Sequence, residues 1–250
     1  KGLALTSDIN PYLMEANPYH GTMSAVEEVC RNLASVGARI DSLADCLCFG
    51  NPRRPEIMGQ FKASCEALRD AAVAVDVPYV SGNVSLYNET QEGAIPPTPV
   101  LMGIGLVNDI RKCVTSDMKS EGSIWLVGQT KEEMGASLYY RTLGIDCPKV
   151  PATNFNAFLP RMEQLIQAIE NGEVVTCHDI SNGGLALSII EMCMSGIGAE
   201  ISFDSKLRSD IELFSESNGR WIVQVAPGHE DNFSKRFDFS KKIGEVNDKI

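Results

Sequence analysis

The feature that most restricts this chain is a helical pattern that runs directly into a strand pattern. Ile57, Phe61, Cys65, Leu68, Ala72 and Val75 recur at helical spacing, which predicts a long amphipathic helix with one apolar stripe. Pro is tolerated in a first helical turn, so the start falls near Pro55 and Glu56. A short apolar run at 78–81 then reads as a strand. A helix that buries one stripe needs a sheet to lie on, and the same succession recurs through both halves. Further strands are expected at 1–6, 39–47, 100–107, 124–128, 173–177, 199–203, 220–226 and 241–246. A helix is expected from Thr22–Ser24 to Gly37, because Ser24 and Glu27 have capping-box spacing, with residues 8–19 as a loop before it. Two more are expected at 156–169 and 185–194, and Thr130 with Glu133 marks another start. This alternation predicts the α/β class, by pattern either a mixed sheet or a doubly wound one, and contains neither a dinucleotide fingerprint nor a P-loop.

Composition narrows the partners. Among 250 residues, 33 are acidic and 22 are Lys or Arg, for a net charge of -11, which argues against a nucleic-acid partner. Phosphorylated ligands remain open, because Mg²⁺ and backbone N–H groups neutralise phosphate locally. No apolar run is long enough to span a bilayer, and no basic-then-apolar signal segment opens the chain. The eight cysteines sit mostly in hydrophobic patterns, which predicts reduced thiols and a cytoplasmic protein. Cys46 and Cys48 form a C-x-C with no second pair at zinc spacing, and alternation along an extended segment accounts for them. The polar stretch at 108–122 places a domain boundary there, giving domains of 1–115 and 116–250. Strand-like residues at both ends, with no initiator Met, read as a fragment truncated at both ends.

The chemistry concentrates in two strings. The first is Val80-Ser81-Gly82-Asn83-Val84-Ser85-Leu86-Tyr87-Asn88-Glu89, expected as a strand that delivers Ser81, Gly82, Asn83 and Ser85 into its exit loop. Gly82 lets backbone N–H groups approach a ligand, while Asn83, Ser85 and Glu89 bring an amide, a hydroxyl and a carboxylate. The second is Asp45-Cys46-Leu47-Cys48-Phe49-Gly50-Asn51-Pro52, whose Asp45 reads equally well as a cap or as an acceptor for a nucleotide amine or metal-bound water. Cys177-His178-Asp179 is not a triad along the chain, because neighbours on a strand face opposite ways; it leads into a Gly-rich turn at Gly183-Gly184.

These strings, together with Asp8, Asn10-Pro11, Asn17-Pro18-Tyr19 and His178-Asp179-x-Ser181-x-Gly183-Gly184-Leu185-Ala186, resemble phosphoribosylformylglycinamidine synthase subunit II of the small, multi-subunit form. The resemblance implies most of the second half of that polypeptide: a two-domain unit like that of aminoimidazole ribonucleotide synthetase, with α+β-type mixed sheets. It implies that Asp45 and Gly82 contact ATP, that Asn83 holds Mg²⁺, and that Ser85 contacts formylglycinamide ribonucleotide. Catalytic residues are expected in the missing first half. The implied partners are that half, a separate glutaminase subunit that supplies ammonia, and a small third subunit. The implied reaction is ATP-dependent amidine formation in purine biosynthesis, with a structural nucleotide-binding half that scaffolds the complex as the alternative. Cys48, His20 and Asn182 stand where the family usually has Asn, Arg and Asp.

Overall fold

The computed structural model describes residues 1–203 and 206–247. The first part runs β1 (Gly2–Asp8), α1 (Pro11–Ala16), α2 (Pro18–Ser35), β2 (Arg39–Cys48), α3 (Pro55–Val75), β3 (Tyr79–Ser85), the small hairpin β4 (Glu89–Thr90) and β5 (Gly93–Ala94), and β6 (Thr98–Val107). The second runs β7 (Ser123–Val127), α4 (Leu138–Thr142), α5 (Phe155–Glu170), β8 (Val174–Asp179), α6 (Gly184–Cys193), β9 (Gly198–Ile201), α7 (Ser209–Phe214), β10 (Trp221–Val225), α8 (Glu230–Arg236) and β11 (Ser240–Asn247).

The first sheet has the order β1-β6-β2-β3, antiparallel except for β2 and β3. Those two are parallel because α3 connects them as a crossover. A mixed sheet is therefore what forms, and β3 is its edge. The helix α2 packs on β1, β6 and β2, and residues alternate along β6, with Leu101 buried and Met102 and Leu106 exposed. Leu3 and Leu5 of β1 share that outer face, paired with Leu106 and Ile104.

The second sheet has the order β8-β10-β7-β11-β9, all antiparallel. Its central strands, Ser-Ile-Trp-Leu-Val and Trp-Ile-Val-Gln-Val, are buried at every position, as expected of strands covered on both faces. Trp125, Val127 and Val223 join the core under α5, whereas Ile124, Leu126 and Ile222 pack with Leu185 and Met192 of α6.

The helix α2 joins the two parts. It also touches α5 and β8, and the core that contains Val26, Val29 and Cys30 continues into Phe158, Leu165 and Trp221. Each such buried apolar side chain contributes about 1.5–3 kcal/mol relative to exposure. The Trp221 indole N–H donates to the Arg31 carbonyl at 3.1 Å, and Asn218 donates to Ser24 at 2.7 Å. At the rim, Arg39 donates to both Glu163 and Glu170 at 2.8 Å.

Three local expectations are corrected. Residues 8–19 are not a loop, because each Asn-Pro pair starts a helix. Asn10 accepts from the Leu13 N–H and Asn17 from the His20 N–H, with Pro11 and Pro18 in the first turns. Ser24 and Glu27 consequently lie inside α2, both buried. Thr130 caps no helix; it accepts from Arg220 at 3.0 Å, and the next helix is α4, capped by Ser137. The strand at 78–81 does not end in a loop but continues to Ser85, because parallel pairing with β2 holds it.

Candidate functional site

The two motif strings lie side by side. Parallel register pairs Asp45 with Gly82, Cys46 with Asn83 and Cys48 with Ser85. Beyond the strands the strings remain joined: Phe49 donates to the Ser85 carbonyl, Asn88 to the Phe49 carbonyl, and Tyr87 to the Gly50 carbonyl, at 3.0–3.1 Å. The Asn88 side chain also bonds the Phe49 and Ser85 carbonyls, and the Glu89 carboxylate accepts from the Asn51 N–H at 3.0 Å. Tyr87 holds a left-handed φ of 62° within this knot, a conformation that a bulky residue adopts only when its surroundings enforce it.

Asp45, Gly82, Asn83 and Ser85 are thus brought together, but around an edge and not in a loop. A Cβ on Gly82 would meet the Asp45 carboxylate at 3.0 Å, so Asp45 lies over the bare backbone of the edge strand. Asp45 is on the helix-bearing face, beside Cys65 and Tyr79, and burial raises its carboxyl above the ordinary range. Asn83 is one residue further along and faces the outer side, where its amide donates to Cys46 Sγ at 3.4 Å. That donation turns Oδ1 away from the thiol, so Asn83 fits as a single neutral oxygen donor to a hard cation. Ser85 is within hydrogen-bond reach of Asn88. Among the described residues no group of three or more His, Cys, Asp or Glu is placed to hold a metal. A Mg²⁺ at Asn83 would therefore take its other oxygens from phosphate, water or a partner segment.

The Cys177-His178-Asp179 segment and its Gly-rich turn occupy a different place. The strand β8 ends at Asp179, and the turn after it carries Gly183 at φ 79° and Gly184 at φ 65°, with the Gly183 N–H donating to Glu216 at 2.8 Å. A side chain at Gly184 would strike the carbonyls of Leu213 and Ser215 at 2.7 Å, so this turn is pressed against the end of α7. His178 lies between Asp179 and Glu191, with Nε2 at 3.2 Å from Glu191. Burial alone would lower its pKa, but the hydrogen bond and charge of Asp179 outweigh it and the net shift is upward. Cys177 is buried and burial pushes its thiol far up, away from nucleophilic use.

A buried ionic cluster between the two parts was missed by sequence reasoning. Arg31, fully buried on α2, lies 2.8 Å from Glu27, 3.4 Å from Glu28 and 3.5 Å from Asp179, with Asp8 close by. Burial raises the carboxyls of Asp8, Glu27 and Glu28, Glu27 to about 7, with Arg31 opposing each rise. Burial would also raise Asp179, but His178 and Arg31 hold it below its ordinary value. The available signal was the spacing of Glu27 and Glu28 before Arg31, obscured by the capping-box reading. Beside the cluster, Glu27, Lys131, Thr153, Phe158, Arg161 and Asn218 help to line a cavity of about 140 Å³.

Residues 1–107 match the family described as AIR synthase related protein, N-terminal domain, and residues 123–249 match its C-terminal domain. The chain belongs to the AIR synthase related family. It is 41% identical over 262 residues to phosphoribosylformylglycinamidine synthase subunit PurL of Methanothrix thermoacetophila, an alignment that covers 98% of this chain and 34% of that protein. The chain thus spans about a third of the length of the curated relatives it matches. Its fold superimposes on Thermotoga maritima PurL complexed with FGAR with a TM-score of 0.82 at 18% identity, over 98% of this chain and 42% of that one. Against T. maritima PurL complexed with ATP the TM-score is 0.67 at 22% identity, over 98% and 35%. At those identities the structural likeness speaks for the fold alone.

Proposed function

We propose that this chain is part of an ATP-dependent carbon–nitrogen ligase, a phosphoribosylformylglycinamidine synthase acting in purine biosynthesis. The reaction joins formylglycinamide ribonucleotide and glutamine-derived ammonia at the expense of ATP, giving the amidine, ADP and phosphate. The observation that carries the reading is the register of β2 and β3, which sets Asp45 beside Gly82 and ranges Asn83 and Ser85 along the same edge strand. The relatives named PurL, at about 40% identity over nearly the whole chain, support the same activity.

In this reading Asp45 and the Gly82 backbone bind the nucleotide, Asn83 supplies one oxygen to Mg²⁺, and Ser85 contacts the ribonucleotide substrate. Bound Mg²⁺ offsets phosphoryl charge and orients the transferring group. The neutral amide adds no repulsion against a triphosphate, and the strand pairing holds it in place. Catalytic groups come from a first half, and ammonia from a separate glutaminase subunit in a complex with a small third subunit. The free cysteines agree with a cytoplasmic setting.

One observation favours the alternative, a nucleotide-binding half that scaffolds the complex: Gly82 and Asn83 are exposed on the open edge strand β3, with Asp45 half-buried on the strand beside it. Asn83→Ala in the longer polypeptide separates the two. The active reading expects the ammonia-driven rate and its response to Mg²⁺ to fall together by about 10–100-fold, the scale of metal-supporting interactions. Unchanged kinetics with nucleotide still bound would leave only the scaffold.

A further inference from the structure

On the outer face of the first sheet, Cys46 and Cys48 place their Sγ atoms 3.7 Å apart. Both are half-buried, both alternate outward along β2, and Asn83 donates to the first. The spacing distinguishes what the two thiols can do. Residues i and i+2 of a strand have Cα atoms about 6.6 Å apart, near the upper limit of about 6.8 Å for a disulfide. At that separation both thiols are free in the structure. Two thiolates on one tetrahedral ion, each at about 2.3 Å, are separated by about 3.8 Å, close to the distance already present. A linear two-coordinate ion would need about 4.6 Å, twice the same bond length.

We propose that Cys46 and Cys48 form a bidentate thiolate site for a soft divalent cation of the zinc and cadmium class. Binding breaks two S–H bonds and releases two protons to solvent, while two metal–sulfur bonds replace two waters of the ion; no electron is transferred. Thiolate selects such ions over the hard cations that prefer oxygen. The remaining positions belong to water, or to Asn83 Oδ1 after rotation of its amide. The metal also removes the sulfur that accepts from Asn83, so its occupancy competes with a Mg–nucleotide at that residue. This last consequence rests on the functional reading above; the metal site does not.

The test is a titration of the reduced chain with cadmium chloride, followed by the ultraviolet charge-transfer band of cadmium–thiolate bonds and by calorimetry. The expected result is one equivalent bound at least tenfold more tightly than in Cys48→Asn or Cys46→Ser, and retained in Cys113→Ser, which removes an exposed thiol. Retention of that equivalent in a folded Cys48→Asn variant, or its absence from the reduced wild-type chain, overturns the proposal. Cys48→Asn is decisive should Cys46→Ser fail to fold. In a second arm, one equivalent of cadmium should weaken binding of a non-hydrolysable ATP analogue with Mg²⁺ to the wild type but not to Cys48→Asn. A chain that binds cadmium as expected but no nucleotide counts against the functional reading and leaves the metal site standing.

Discussion

Replacing Glu27 with Gln should make the protein more stable at neutral pH and flatten its dependence on pH. Glu27 has no exposed surface, accepts from the Gly219 N–H at 3.2 Å and pairs with Arg31 at 2.8 Å. Burial raises its carboxyl from 4.5 to about 7, against the pull of Arg31 and with the push of Asp179 and Asp8. The folded state therefore holds this proton more tightly than the unfolded chain does. Its contribution to stability is fully present below pH 4.5 and is lost as the pH rises through 7. At about 1.4 kcal/mol per unit, a rise of roughly two and a half units amounts to about 3 kcal/mol. Asp8 and Glu28 are shifted the same way, so their ionisation adds to the loss as the pH rises. Gln is neutral throughout and resembles the protonated acid, so the two proteins should be similar near pH 4.5 and differ by about 3 kcal/mol at pH 8. Urea unfolding at closely spaced pH values measures this directly. Equal slopes in the two proteins, or a Gln variant less stable than the wild type at pH 8, would refute the reasoning.

Three other substitutions test separate parts of the structure. Gly82→Val places a side chain on the Asp45 carboxylate, so nucleotide affinity in the longer polypeptide should fall about tenfold or more, the scale of one hydrogen bond to a charged group; calorimetry showing wild-type affinity would remove Asp45 from the site. Arg39→Ala severs the pairs to Glu163 and Glu170 at a partly exposed rim and should cost about 1 kcal/mol in urea unfolding, whereas a loss above about 3 kcal/mol would make that rim a principal joint between the two parts. Cys177→Ser should leave the ammonia-driven rate nearly unchanged, and native Cys177 should resist thiol reagents; abolition of the rate with the fold intact would give the thiol a chemical role.

Much of the architecture was readable because strand and helix periods are properties of the chain itself. The helix α3 announces its stripe from Ile57 to Val75, and β7 and β10 announce double-sided burial by predominantly apolar runs, each with one buried polar residue, Ser123 or Gln224. Two failures share a form: a capping signal lost to a competitor, close by in the chain in one case and across the fold in the other. Ser24 and Glu27 do have capping-box spacing, but Asn17 and Pro18 start the helix about two turns earlier, which consigns both residues to its interior. Thr130 and Glu133 repeat the pattern, and the Arg220 guanidinium claims the Thr130 hydroxyl instead. The ionic cluster around Arg31 gathers β1, α2 and β8, so no local window displays it.

The candidate site shows how a grouping read from the sequence can rest on an incomplete geometry. Reading Ser81 to Ser85 as a loop lets Asp45 and Asn83 turn freely toward a common ligand. As strand residues in register one step apart, they cannot do so, because Asp45 pairs with Gly82 and Asn83 pairs with Cys46 on the opposite face. Gly82 is what reconciles them. With no side chain on the edge strand at that position, the Asp45 carboxylate lies over bare backbone and reaches the rim from the helix side. Asn83 reaches the same rim from the outer side, and the exposed strand between them is the last in its sheet. A ligand that uses both must therefore embrace the edge of β3. The edge also offers its own unpaired N–H and C=O groups, which any ordinary sheet would protect. An extended polyphosphate or a further chain segment can follow such an edge; a compact ligand enclosed in a pocket cannot touch both faces at once. The intermolecular contacts of Asp45 and Asn83 should accordingly fall on opposite sides of the β3 backbone in any complex that engages both.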